Sequence, residues 1–137
     1  MDVLYWTEAT AWGGREGRTA SSDGVLDLEL AYPKEVGGPG GKTNPEQLFA
    51  AGYASCFHNA LKVVARKEKV DVSESAVTAR VGLGATESGA FEIAVQLEAE
   101  LPDVERSVAE DLVAKAHQVC PYSNATRGNI EVSLTVV

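Results

Sequence analysis

Apolar positions along this chain switch between the two-residue period of a strand and the wider spacing of a helix, and the switches mark out its elements. In "VLYWTEATAW" polar and apolar residues alternate among aromatic and β-branched types, which predicts a strand over Val3 to Trp12. "GGREGR" turns the chain. "TASSDG" then leads into "VLDLELA", where Asp23-Gly24 signals a hairpin turn and Val25 to Ala31 alternate apolar with acidic residues. The opening third therefore reads as antiparallel sheet. After it comes "YPKEVGGPGGKT", whose end resembles a phosphate-binding loop. That pattern requires a glycine where this chain has Val36, and no apolar parallel strand precedes it, so the stretch reads as a flexible connection.

The period changes at "NPEQLFAAGYASCFHNALKVVARK", Asn44 to Lys67. Asn44 is a suitable N-cap, Pro45 suits the first helical position, and Glu46 suits the positive end of the helix dipole. Leu48, Phe49, Ala51, Gly52, Cys56, Ala60, Leu61, Val63 and Val64 cover more than one face, which predicts a buried helix. "SAVTARVGLGAT" and "FEIAVQLEAEL", joined by "ESGA", form a second hairpin. A second helix follows, with Asp103 as its expected cap and Val104, Val108, Leu112, Val113, Ala116 and Val119 at helical spacing. Cys120-Pro121 breaks or restarts it, because proline disfavours helical geometry in the residue before it. "NIEVSLTVV" closes as a strand. This order is that of an α+β fold, an antiparallel sheet packed on two main helices.

Composition narrows the reading. A chain of 137 residues, 45% apolar and 23% charged, suits a single domain over residues 1–137 with a modest core, which dimerisation would enlarge. The net charge of −8 argues against a nucleic-acid backbone or an anionic membrane surface as partner, since both would repel it. A small neutral or apolar substrate is easier to accommodate. The N-terminus lacks the basic and apolar regions of a leader, and no stretch approaches the roughly 18 apolar residues of a membrane span, so a cytoplasmic protein is expected. In a reducing compartment the two cysteines are expected to be free, catalytic or metal-bound, and the "NAT" at Asn124 has no glycosylation meaning.

The chemistry centres on those cysteines. One cysteine in an apolar helix is most often a small hydrophobe. Here, however, "YASCFHN" and "HQVCPYSN" each add a histidine, an aromatic and a serine. A zinc site built from Cys56, His58, His117 and Cys120 fails on geometry, because residues two apart on a helix point roughly 200° away from each other. No bound metal is expected. Thiol redox chemistry remains, and it needs a thiolate, which neither burial nor a mid-helix position favours. A cation must be brought to Cys56. A guanidinium about 4 Å away is worth roughly 4 kcal/mol at an effective dielectric of 20, enough to outweigh moderate desolvation. Arg18, in the segment between turn and strand, is one candidate, and Arg15 or Arg127 would serve equally well.

The stretches "GREGRTASSDGVLDLEL", "GGPGGKTNPEQLFAAGYASCFHNALKVVA" and "AHQVCPYSNATRGNIEVSLTVV" closely resemble the organic hydroperoxide resistance (Ohr) branch of the Ohr/OsmC family over almost the whole chain. The resemblance implies an OsmC/Ohr-like, intertwined homodimer with each site at the subunit interface. It also implies a peroxidase that reduces alkyl and fatty-acid hydroperoxides to alcohols. It binds no cofactor and takes electrons from a dihydrolipoyl dithiol on a lipoylated protein. On that basis Cys56 is the peroxidatic cysteine, which becomes a sulfenic acid, and Cys120 is the resolving cysteine, which closes a Cys56–Cys120 disulfide. Arg18 is expected to stabilise the thiolate and the leaving group, and Glu46 to orient Arg18. On one unbroken helix Glu46 and Cys56 would lie ~15 Å apart along the axis, so either the helix breaks near Gly52 or the carboxylate and the thiol come from different subunits. Phe49, Tyr53, Phe57, Phe91 and Tyr122 are candidate walls for an acyl chain. The alternatives are an OsmC-type peroxidase of different substrate preference and a redox-sensing dimer without turnover.

Overall fold

The computed structural model describes every residue from Met1 to Val137. The backbone divides into two compact units, Met1–Leu48 and Phe49–Val137, and the division falls inside a helix.

In the first unit β1 (Ala9–Trp12), β2 (Arg18–Ser21) and β3 (Asp27–Glu29) form an antiparallel sheet in that order. Trp12 pairs with Arg18 across the β1–β2 connection, which is a 3-10 turn over Gly14–Glu16. Glycine is obligatory at its end. A Cβ on Gly17 would stand 1.7 Å from the Trp12 carbonyl oxygen, so only a bare backbone closes this turn. In the β2–β3 turn, Ser21 Oγ donates to Asp23 Oδ1 at 2.6 Å, and the same oxygen accepts from the Val25 N–H at 3.0 Å. Both flanking strands are shorter than the alternation predicts. Residues 3–7 of the expected strand join no ladder, and Val3, Leu4, Tyr5 and Trp6 stand exposed; only at Glu8, whose carbonyl accepts from the Ser22 N–H at 3.1 Å, does pairing begin. β3 covers only the middle of Val25–Ala31, and Leu30 makes an isolated parallel bridge to Thr43.

Helix α1 (Pro45–Lys67) begins as expected, with Asn44 Oδ1 accepting from the Gln47 N–H at 2.9 Å. It continues without interruption through Gly52, which excludes a break there. Tyr53, Phe57, Ala60, Leu61 and Val64 form one buried stripe at helical spacing. Ala51, Ser55, Asn59 and Lys62 on other faces are exposed, so within this chain the helix is buried on one side only.

In the second unit β4 (Ala76–Ala85) and β5 (Phe91–Glu100) form the predicted long hairpin, turning at Thr86–Ala90 with Gly89 in the left-handed region (φ 85°). β6 (Val132–Val136) pairs with β5, and the pairing is parallel. The sheet is therefore mixed, unlike the wholly antiparallel one expected, because the helices between β5 and β6 carry the chain back to the same end of the sheet. Inward-facing Val95, Leu97 and Ala99 share the core with the α1 stripe and with Ala109, Leu112, Val113 and Ala116 of α2 (Arg106–Val119). The cap of α2 is Glu105, whose carboxylate accepts from the Ser107 N–H; Asp103, the expected cap, occupies a left-handed turn at φ 67°. α2 stops at Cys120 and a short α3 (Pro121–Thr126) begins at Pro121.

Candidate active site

Cys56 lies one helical turn after Tyr53 on α1, at the edge of the buried stripe, and keeps partial access to solvent. Cys120 reaches it from the corner between α2 and α3. Its N–H makes the last bond of α2, to the Ala116 carbonyl at 2.9 Å, and its carbonyl accepts from the Asn124 N–H of α3 at 2.9 Å. Pro121 forces the extended backbone at Cys120 (φ −65°, ψ 124°) that turns its side chain into the core. The result brings the two free thiols to a sulfur separation of 3.7 Å, with the Cys120 thiol donating to the Cys56 sulfur. That is van der Waals contact, well short of the roughly 2.05 Å of a disulfide, and a small movement closes the gap.

The surroundings act on Cys56 in opposite senses. Burial pushes its thiol above the ordinary range, and the adjacent Cys120 sulfur adds to the rise. Against both, the backbone N–H of Tyr122 acts to lower it and favours the thiolate. Nothing in the spacing of the sequence foretold that donor. Gly52 leaves room for the Tyr122 ring, because a Cβ there would lie 2.8 Å from Tyr122 Oη and 3.2 Å from its ring. The Tyr122 ring thus rests directly on the helix backbone, 6.0 Å from Phe49 and 5.6 Å from Tyr53 between centroids. Of the candidate walls, Phe49, Tyr53 and Tyr122 form one aromatic cluster, in which Tyr53 is wholly buried. Phe57 is wholly buried core, and Phe91 stands exposed at the start of β5.

The arginines are arranged differently from expectation. Arg15, in the glycine turn after β1, binds Glu46 through both guanidinium nitrogens, at 2.7 and 2.6 Å. This bidentate pair holds the Glu46 carboxyl below its usual range and raises Arg15 further. Arg18 is engaged elsewhere: its Nε and Nη2 donate to Asp27 at 2.7 and 2.8 Å, and its guanidinium lies 5.1 Å from the Trp12 ring centre. The expected bond between Glu46 and Arg18 is not formed within the chain. The reason is register, since Arg18 sits in the ladder opposite Glu29 while Arg15 projects from the turn. The histidines serve structural bonds, His58 Nε2 to Ser75 Oγ at 2.9 Å and His117 Nδ1 to Ser123 Oγ at 2.8 Å.

Fold and site together define an α+β protein of OsmC type carrying two apposed cysteine thiols, and the comparisons agree. Residues 38–135 match the OsmC-like protein family. The organic hydroperoxide resistance protein of Xanthomonas axonopodis pv. citri is 54% identical over 98% of this chain and 95% of its own. The OhrB protein of Bacillus subtilis is 47% identical over 96% and 97%. Among solved structures, an organic hydroperoxide resistance protein of Legionella pneumophila superposes with a TM-score of 0.94 at 51% identity, covering 98% of both chains. One from Vibrio cholerae, with captopril bound in one of its active sites, gives 0.95 at 53% identity over 99% of this chain and 94% of that one. The chain belongs to the OsmC family and, within it, to the organic hydroperoxide resistance branch.

Proposed function

We propose that the protein is a cysteine-based peroxidase that reduces organic hydroperoxides to alcohols. The observation that carries this reading is the apposition of two free thiols at 3.7 Å, one partly accessible and one buried at a helix corner. The Cys56 thiolate attacks the terminal peroxide oxygen; the O–O bond breaks, the alkoxide leaves and takes up a proton, and a Cys56 sulfenic acid remains. Cys120 then displaces the sulfenic hydroxyl as water and closes a disulfide. An external dihydrolipoyl dithiol on a lipoylated protein reopens it by exchange through a mixed disulfide. Phe49 and Tyr122 offer an acyl chain an apolar approach. No metal or bound cofactor enters any step, and free thiols suit a reducing, cytoplasmic setting.

The arginine of the site is Arg15 in this reading, and Glu46 positions it. The bidentate pair fixes the guanidinium plane, which a single-point contact would leave free to rotate. α1 is unbroken, so Glu46 and Cys56 of one chain are ~15 Å apart along its axis. In this reading the Arg15–Glu46 pair of one subunit serves the thiol of another, in a homodimer. The exposed apolar residues Val3, Leu4, Tyr5 and Trp6 supply surface for that association.

Turnover with dihydrolipoamide separates an enzyme from a sensor. Sustained consumption of tert-butyl or fatty-acid hydroperoxide, faster than that of hydrogen peroxide, is expected. Oxidation that stops after one equivalent, or equal rates for both peroxides, would contradict the proposal.

A further inference from the structure

Around the corner that carries Cys120, four side chains form a continuous hydrogen-bonded chain. His117 Nδ1 lies 2.8 Å from Ser123 Oγ, and Ser123 Oγ lies 2.8 Å from Tyr53 Oη. Tyr53 Oη in turn lies 3.1 Å from Thr126 Oγ1, whose hydroxyl donates to the Ser123 carbonyl at 3.2 Å. Tyr53, Ser123 and Thr126 are buried. One direction of donation satisfies every member: the imidazole N–H to Ser123, Ser123 to Tyr53, Tyr53 to Thr126, and Thr126 to the carbonyl. Polar groups at such depth are costly unless every bond is made. Apolar residues of similar shape would hold a core together equally well. What the polar chain adds is direction, since a hydrogen bond constrains angle as well as distance.

The placement gives that constraint a use. Cys120 lies midway between His117 and Ser123 in sequence, so the bond between those two spans the corner with Cys120 at its apex. A second bond in the corner is made by Arg127, which donates to the His117 carbonyl. Tyr53 lies one helical turn before Cys56 on the same face of α1, so the bond from Ser123 to Tyr53 ties the Cys120 corner to the helix that carries Cys56.

We propose that Ser123 and His117 are positioning residues for the resolving step, holding the Cys120 sulfur in line with Cys56 through Tyr53. The inference rests on the peroxidase reading. In the step concerned, Cys120 sulfur bonds to Cys56 sulfur, the sulfur–oxygen bond of the sulfenic acid breaks, and the hydroxyl leaves as water with the Cys120 proton. The sulfurs must close from 3.7 Å to about 2.05 Å. A corner left free to swing would reach that geometry only rarely. Neither residue touches the peroxide, so the first oxidation does not depend on them.

The test uses the full chain with Ser123→Ala, His117→Leu and His117→Asn, the last retaining a polar nitrogen near the Nδ1 position. Each is mixed rapidly with limiting cumene hydroperoxide. Sulfenic acid is trapped with a dione probe, disulfide is followed by alkylation and mass, and thermal unfolding confirms the fold. Expected is a first oxidation at the wild-type rate and a disulfide step slowed roughly tenfold to a hundredfold in Ser123→Ala and His117→Leu. With excess peroxide these two variants should accumulate Cys56 sulfinic acid, and His117→Asn should recover most of the rate. Disulfide closure at the wild-type rate would overturn the proposal, as would equal slowing of both steps, which marks general loosening. A wild-type protein that forms neither species would remove the peroxidase reading and the positioning role with it.

Discussion

Cys56 gets little help from its own helix, because a mid-helix thiol is beyond the reach of the end dipole and burial opposes ionisation. The Cys120 thiol donates to its sulfur, and the backbone N–H of Tyr122, a residue whose ring lies against Gly52, favours the thiolate. Gly52→Ala therefore sets two effects against each other: alanine is worth about 1 kcal/mol of helix propensity, while its Cβ displaces the half-exposed Tyr122 ring. The expected outcome is near-unchanged thermal stability with slower alkylation of Cys56 by iodoacetamide at neutral pH; unchanged alkylation would separate Tyr122 from the thiolate. The arginines give a second contrast. Arg15→Lys loses the bidentate contact to Glu46 and should reduce peroxidase turnover roughly a hundredfold. Arg18→Ala removes a half-exposed pair with Asp27 and an exposed contact with the Trp12 ring and should leave turnover within about twofold. Glu46 also has a pH signature. Arg15 holds its folded pKa below the unfolded value of about 4.3, so the pair stabilises the protein above that value and the benefit fades as pH falls through the folded pKa. Urea midpoints should fall on acidification below about pH 4.5, and less steeply in Glu46→Gln.

At the scale of elements, the corner Cys120-Pro121 is the decisive junction. Pro121→Ala removes the clash that keeps Cys120 extended and lets α2 run on, which should turn Cys120 away from Cys56. Disulfide closure after peroxide should then slow at least tenfold with the first oxidation intact, as read by thiol alkylation. This break was legible in the sequence because proline acts on its immediate neighbour. So were α1 with its Asn44 cap, the β4–β5 hairpin and α2, where periodicity extends over many residues. The pairing of arginines was not legible. Arg15 and Arg18 share one short segment, and only the register of the β1–β2 turn decides which of them faces Glu46. The Tyr122 donor was equally hidden, since a backbone N–H leaves no mark in residue identity. β6 was recognisable as a strand, but its parallel pairing follows from the path of the helices before it.

For the whole molecule, residues 3–7 keep the alternation of a strand while joining no ladder of this chain. In the proposed homodimer a second copy would be their partner, because strand addition would satisfy their backbone groups and cover Leu4, Tyr5 and Trp6 together. Deleting residues 1–8 should shift sedimentation from dimer toward monomer and reduce turnover with it; a deletion variant that stays dimeric would place the interface elsewhere. The net charge of −8 leaves small uncharged hydroperoxides unopposed. No helix is long and apolar enough to cross a membrane. The most direct test of the whole account is to add one equivalent of an organic hydroperoxide to the reduced protein and map its cysteines by peptide mass spectrometry. The account predicts a single disulfide joining Cys56 to Cys120, replaced in Cys120→Ser by an overoxidised Cys56. Two untouched thiols would contradict it.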